Sequence, residues 1–497
     1  MPSRETPVSD LHYLSAVEVI ALFRARKLSP VELLAALIAR SAAVEPTVNA
    51  FTARFFDEAM AAARRAEARY AGRGPRPRPL EGLPLAIKDE TPVEGQPNTF
   101  ASLIFKDNVA DHTAPLTERA LRAGAIAHAR TTLPEFACMP FTHSALFGVT
   151  RNPWNPAYDV GGSSGGAAAA LAAGTTVLAG GSDIGGSIRI PAACCGVVGY
   201  KPPYGRVPQD PPWNLDHYCH EGPLARTVAD CALFQNVIAG PHPHDIASLR
   251  PRVRIPSDLG DIQGWRIALS VDLGGFVVDA DVVRNTRAAA AAFREAGATV
   301  EEVDLDWDRD EIMSTAFTHY GTILGPWLRQ FVAKHRDLVT PYAVWFADAT
   351  AAAAASAGAY LRALESEGRI YARLGDILTQ YRILICPTIA LPALEAGEDY
   401  VDRRPTVNGV EQETVFHHLM TVPFNICSRC PVLSVPSGIA STGVPTGLQI
   451  VGRSYDDVSV FHAAAAFERL RPWLDVPERR PSPGMDRSAA AAAVQAG

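Results

Sequence analysis

Val160-Gly-Gly-Ser163-Ser-Gly-Gly166 opens a stretch that continues through an alanine-rich segment to Gly181-Ser-Asp-Ile-Gly-Gly-Ser187-Ile-Arg-Ile-Pro191 and closes at Cys195-Gly-Val-Val-Gly-Tyr-Lys201. Ser163 and Ser187 each follow a pair of glycines. Glycine permits backbone angles that other residues resist. It also leaves main-chain N–H groups uncovered, so a substrate oxygen can approach them. Glycine-rich turns around a buried helix are the plain structural reading. Two such turns, with a serine at the same place in each and an uncharged segment between, point instead to cooperating hydroxyls. A phosphate-cradling loop does not fit. It needs Gly-Lys-Ser/Thr opening a helix, whereas Gly166 is followed by Ala167 and Ala168.

A serine hydroxyl is a weak nucleophile without a base. Upstream, Glu81-Gly-Leu-Pro-Leu-Ala-Ile-Lys88-Asp89 reads as a short apolar strand ending in lysine. Only five of the 46 basic residues are lysines: Lys27, Lys88, Lys106, Lys201 and Lys334. Arginine serves wherever a plain positive charge suffices. A lysine at the end of an apolar strand is therefore a candidate base, since lysine can lose its proton when desolvated and arginine cannot. The histidine alternatives, His143, His217 and His220, carry no spacing signal.

Lys88, Gly161-Gly-Ser163-Ser-Gly-Gly166 and Gly181-Ser-Asp-Ile-Gly-Gly-Ser187-Ile-Arg-Ile-Pro191 together resemble the amidase signature hydrolases, from about Ser15 to about Leu470. The resemblance implies an amide hydrolase that works through an acyl-enzyme, without cofactor or metal. It makes Ser187 the nucleophile, Ser163 a bridging serine on a cis Gly162–Ser163 bond, and Lys88 the base. The N–H groups of Ile184, Gly185, Gly186 and Ser187 would form the oxyanion hole. Asp183 and Arg189 are read as a structural pair or as main-chain hydrogen-bond partners that hold the turn. Lysine acts as a base only when neutral, so no carboxylate should face it; strand alternation turns Asp89 to the opposite face. The chain departs from the family pattern at Glu90 and at Tyr200-Lys201-Pro202-Pro203-Tyr204, and both departures bear on the substrate pocket. Phe100, Phe136, Met139, Tyr204 and Trp213, with Phe141 and Trp154, surround the motifs and favour an apolar or aryl substrate. Esters and carbamates (urethanes) fit the same chemistry. The alternative is an amidotransferase component that supplies ammonia to a tRNA-bound substrate within a complex; a scaffold with a dead site conflicts with three filled catalytic positions.

Strand-like runs at Leu83–Ile87, Ile126–Arg130, Val177–Ala179, Arg266–Ser270, Thr299–Val303, Ile383–Thr388, Val432–Gly438 and Thr446–Gly452 alternate with helical segments. The expected fold is α/β: one large domain with a central mixed, largely parallel sheet flanked by helices. Residues 1–72 read as an N-terminal helical arm, with capping boxes at Ser15/Glu18 and Ser29/Glu32. Residues 73–475 form the core, with a variable helical region at about 312–379, and residues 476–497 a frayed tail. Lys201–Pro223 should be an ordered loop near the nucleophile, with Pro223–Asp230 starting the next helix.

With 47% apolar and 20% charged residues and a net charge of −7, the chain reads as globular, without the basic footprint of a nucleic-acid binder. The N-terminus lacks the apolar core of a signal peptide, and the small residues of Val160–Ser182 suit a buried helix, not a membrane span. Eight cysteines are too few for a disulfide scaffold. Cys194-Cys195 reads as core packing, and the lone Cys427-x-x-Cys430 as buried thiols. The expected setting is cytoplasmic. The expected partners are a small-molecule amide, ester or carbamate, with a homodimer as the candidate assembly and neither nucleic acid nor membrane.

Overall fold

The computed structural model describes residues 8–474 and 476–481. The expected C-terminal tail therefore lies outside the described residues except for 476–481. Ser15 and Ser29 cap the helices Ala16–Arg24 and Pro30–Val48, each with the complete reciprocal box to Glu18 and Glu32. Each cap is worth about 1 kcal/mol. A third helix, Phe56–Tyr70, follows the first short strand.

Eleven strands build that sheet: β1 (Phe51–Arg54), β2 (Pro84–Lys88), β3 (Ile126–Thr131), β4 (Leu178–Asp183), β5 (Val198–Lys201), β6 (His220–Ala225), β7 (Arg266–Leu269), β8 (Thr299–Glu302), β9 (Ile383–Pro387), β10 (Val432–Ile439) and β11 (Pro445–Gly452). Their order across the sheet is β1-β3-β2-β4-β6-β5-β10-β11-β9-β7-β8. The fold is α/β, with a mixed central sheet flanked by helices. Parallel pairing joins β2 to β3 and β4, and β7 to β8 and β9. These are the two flanks where strands alternate with helices in sequence. The middle of the sheet and the edge pair β1–β3 are antiparallel.

The predicted strands all form, within a residue or two at most ends; β4 extends four residues further, to Asp183. Three strands of this sheet were not expected. β1, inside the supposed helical arm, pairs with β3 and forms one sheet edge. β5 and β6 lie at the two ends of what read as the Lys201–Pro223 loop. Pro223 belongs to β6, opposite Gly180, and the helix begins only at Val228, capped by Thr227. Proline in a central strand would forfeit a ladder bond. β6 meets β5 only at Leu224 and Ala225, so Pro223 lies just beyond that pairing.

The glycine-rich stretch threads the centre. The helix Gly165–Ala172 is buried at every position. A Cβ on Gly166 would lie 2.4 Å from Thr132 N and 2.6 Å from Ala50 O, so this glycine is there for close approach of two backbones. The short helix Arg189–Cys195 follows the second turn and ends in the buried Cys194 and Cys195. All eight cysteines are free. The helical region holds Arg309–Tyr320, Leu324–His335, Pro341–Ala354 and Ala359–Gln380. Among the described residues, no helix is long and apolar enough to cross a membrane.

Candidate active site

Strands β2 and β4 are parallel neighbours in register, Ile87 opposite Gly180. Their carboxyl ends, Lys88 and Asp183, therefore emerge at the same edge, the usual place for a ligand site in a sheet of this kind. Lys88 is fully buried. Its Nζ donates to Ser163 Oγ at 2.7 Å and to Ser182 Oγ at 2.9 Å. The Gly162–Ser163 peptide is cis. The guanidinium of fully buried Arg130 donates to the carbonyls of Lys88, Asp89 and Thr91, which fixes the strand end.

Asp89 faces away from the lysine, as strand alternation requires. It accepts from Thr99 N (2.9 Å), Thr99 Oγ1 (2.7 Å) and Thr52 Oγ1 (3.3 Å). The expectation that no carboxylate faces Lys88 nevertheless fails one residue further on. Glu90 Oε1 lies 2.9 Å from Lys88 Nζ and also accepts the Ser182 hydroxyl. The chain turns after β2, so Glu90 no longer follows the alternation of the strand and folds back onto the amine.

The turn that carries Ser187 is held from below. Arg189 and Asp183 are both fully buried, with Nη2–Oδ1 at 2.8 Å and Nε–Oδ2 at 3.0 Å. Arg189 also donates to Thr421 O, Gln449 Oε1 and Asn425 Oδ1. Burial alone would raise the Asp183 carboxyl; Arg189 and Asn425 overcome it and hold the group well below the usual carboxylate range. Asp183 and Arg189 thus form a buried ion pair, and Asp183 also accepts from the main chain of the turn.

Asp183 also corrects the oxyanion assignment. Its Oδ1 accepts from Gly186 N at 2.9 Å, so that N–H is already engaged. The N–H groups of Ile184, Gly185 and Ser187 have no protein partner among the described residues. Gly186 has φ +128, and a Cβ there would meet Thr421 Oγ1 at 2.1 Å. Ser187 Oγ has no hydrogen-bond partner among the described residues.

Two cavities meet at this edge. A pocket of about 20 Å³ contains Ser187 and Gly162 and is walled by Cys138, Met139, Ile190, Tyr320, Phe346 and Phe416. A chamber of about 820 Å³ contains Ser163, Ser182 and Glu90, with Phe100, Phe105, Phe136, Trp213, Trp327 and Phe331 as its aromatic wall. Those rings pack in tilted, edge-on and stacked pairs with centroids 5.0–6.3 Å apart.

Of the predicted pocket residues, Phe100, Phe136 and Trp213 line the chamber and Met139 the small pocket. Tyr204 lines neither: its hydroxyl donates to Asn214 O at 2.6 Å and braces the loop. Phe141 and Trp154 are buried in the core. The histidines touch neither serine. His220 lies under the turn, 3.1 Å from Asp183 O, and burial pushes it down to about 3. His217 pairs with Glu367, and His143 stacks on Phe141. Asp216, His217 and His319 bring metal-ligating atoms within 4.8 Å of one another, but His319 and Asp216 already bond each other at 2.7 Å. Sequence reasoning missed Ser182, which lies inside the quoted motif, and Tyr320, Thr421, Asn425 and Gln449, which have no local pattern. Lysine scarcity would also have found Lys201, the other fully buried lysine, which donates to Cys430 O at 3.0 Å.

The amidase family profile matches residues 32–461. The chain is 34% identical to an acylamidase of Rhodococcus erythropolis over 94% of this chain and 97% of that one. It is 36% identical to a glutamyl-tRNA(Gln) amidotransferase subunit of Thermosynechococcus vestitus, covering 90% and 95% of the two chains. Among solved structures, a bacterial aryl acylamidase of the amidase signature family superposes with a TM-score of 0.87 at 31% identity, over 95% of this chain and all of that one. A 6-aminohexanoate cyclic dimer hydrolase with bound substrate gives 0.82 at 28%, over 95% and 99%. The chain belongs to the amidase signature family, and it is an amidase, a hydrolase of C–N bonds.

Proposed function

We propose that the enzyme hydrolyses amides of aromatic amines with a short acyl group, through an acyl-enzyme on Ser187. Lys88 in its neutral form takes a proton from Ser163, which takes one from Ser187. The freed oxygen attacks the carbonyl, and the oxyanion lies against the N–H groups of Ile184, Gly185 and Ser187. The protons return by the same route to the departing nitrogen, and water then releases the acid. Esters and carbamates present the same carbonyl to the same groups and belong to the proposal.

One observation carries the substrate reading: the two cavities are unequal and lie on different members of the triad. The leaving nitrogen must receive its proton from the Ser163–Lys88 side, and that side faces the 820 Å³ aromatic chamber. The acyl group is left beside Ser187, in a pocket of about 20 Å³, room for little more than one small group. An amidotransferase role has less support: the glutamyl-tRNA(Gln) amidotransferase subunit of Thermotoga maritima superposes with a TM-score of 0.74, against 0.87 for the aryl acylamidase.

The test is a panel of anilides of increasing acyl length, with matching p-nitrophenyl esters and aryl carbamates. Rates should fall steeply beyond a few acyl carbons, and Ser187→Ala should abolish all turnover. Lys88→Ala should cost amides about 100- to 10,000-fold and esters less, because an amine leaves only when protonated. Full activity in Ser187→Ala would overturn the mechanism; a preference for long acyl chains would overturn the substrate assignment.

A further inference from the structure

We infer that Glu90 is a positioning residue that holds Lys88 in its protonated resting form and so sets the lower end of the enzyme's working pH range. The inference rests on the reading of Lys88 as the base.

The geometry is direct. Glu90 Oε1 is 2.9 Å from Lys88 Nζ, and the lysine side chain is wholly out of solvent. Ser182 closes a triangle, accepting from Lys88 at 2.9 Å and donating to Glu90. A second carboxyl, Glu221 at the start of β6, lies on the same chamber wall. The two acids are not equivalent. Glu90 has an ammonium and a hydroxyl to stabilise its charge, whereas Glu221 Oε2 is buried with no hydrogen-bond partner. Negative charge settles where the donors are, and burial together with Glu90 pushes the Glu221 carboxyl well above the usual range. Glu90 is therefore the charged member. The remaining ionisable neighbours are Arg130 and Cys219 beside Glu90 and Asp210 beside Glu221. Arg130 donates to three main-chain carbonyls through Nη2 alone, with Nε and Nη1 unpartnered, and its fixed charge is the same in parent and variant.

A carboxylate against an amine favours the ammonium. The relay from Ser187 can start only after that proton leaves, so Glu90 opposes the first proton transfer at low pH. The same contact keeps the ammonium available for the last step, when the leaving nitrogen needs a proton. Amides depend on that second step far more than esters do. Glu90 thus trades activity at low pH for selectivity toward poor leaving groups.

The experiment is kcat/KM against pH for the whole enzyme and Glu90→Gln, on one short-acyl anilide and its p-nitrophenyl ester, with thermal melting to confirm folding. Glu90→Gln should move the acid-side limb to lower pH by about one unit or more, a tenfold change in the variant-to-parent ratio across the limb. It should also raise the ester-to-amide rate ratio. Glu90→Asp should leave the limb near its original place. If the glutamine variant does not fold, Glu90→Ala, whose lost volume opens onto the chamber, should give the same shift. A uniform loss with the limb unmoved would reduce Glu90 to packing, and a limb moved to higher pH would make it a participant in the relay; either overturns the inference. Full activity in Lys88→Ala would instead sink the reading beneath it, which the Glu90 profiles alone cannot do.

Discussion

Two ion pairs stand side by side at the edge of the sheet, and they do opposite things. Asp183 and Arg189 meet at 2.8 Å, and Glu90 and Lys88 at 2.9 Å. The first pair is wholly buried, and every arginine nitrogen has a partner. The second leaves Glu90 13% exposed on the chamber. The cations differ in kind as well. Arginine does not give up its proton under any ordinary condition, and lysine does. Similar distances therefore separate a fixed brace from an adjustable contact, and the surroundings decide which is which.

The largest effect should come from breaking the brace. Arg189→Met leaves the Asp183 carboxylate buried without its cation, which typically costs about 3–5 kcal/mol. Chemical denaturation should show that loss, with activity lost alongside because Gly186 and Ile188 both lean on Asp183. A variant as stable as the parent would erase the distinction between the two pairs.

Acid should separate them next. His128, His220 and His418 are buried, and burial pushes them down to about 4, 3 and 3. Below about pH 6.5 the unfolded chain binds protons at these histidines while the native protein does not. Their contribution is fully present above that pH and is lost as the pH falls toward 4, at roughly 1.4 kcal/mol per pH unit for each histidine. Asp183, held far below the usual range by Arg189 against its own burial, stays ionised across that window. The buried Asp159 carboxyl, which burial pushes up to about 8, works in the opposite direction over the same window, so the check is the difference between parent and His128→Gln in unfolding midpoints at pH 7.5, 6 and 5; the same pH dependence in both would mean that His128 is not buried neutral.

What the sequence disclosed follows the range of the forces involved. The glycine pairs, the lysine at the end of an apolar run and the capping boxes at Ser15 and Ser29 are local, so a short window reveals them. β1, β5 and β6 were hidden for the opposite reason. They are four to six residues long, and their partners lie far along the chain, Phe51 opposite Thr131 and His220 opposite Asp183. The site divides in the same way. Ser163, Ser187 and Lys88 carry local signals, and the fold brings Lys88 against Ser163. That Gly186 would spend its N–H on Asp183 has no such signal, because the turn is shaped by Thr421, Asn425 and Gln449 from more than 200 residues away. Glu90 stood out as a departure, but only the fold shows that the chain bends it back onto the amine.

The smallest expected effect is the sharpest control. Asp89 and Glu90 are adjacent in sequence, and both are carboxyls close to the same lysine. Asp89 spends its oxygens on Thr99 and Thr52, and burial raises its carboxyl above the usual range. Asp89→Asn keeps an oxygen for the two Thr99 donors, and the Thr52 hydroxyl can turn to accept instead of donating. The loss should be about 1 kcal/mol of stability, with the acid-side limb of kcat/KM where it was. Glu90→Gln, one residue away and equally conservative, should displace that limb. If both substitutions moved it alike, the lysine would be responding to charge in general, and the contact with Glu90 would lose its special standing.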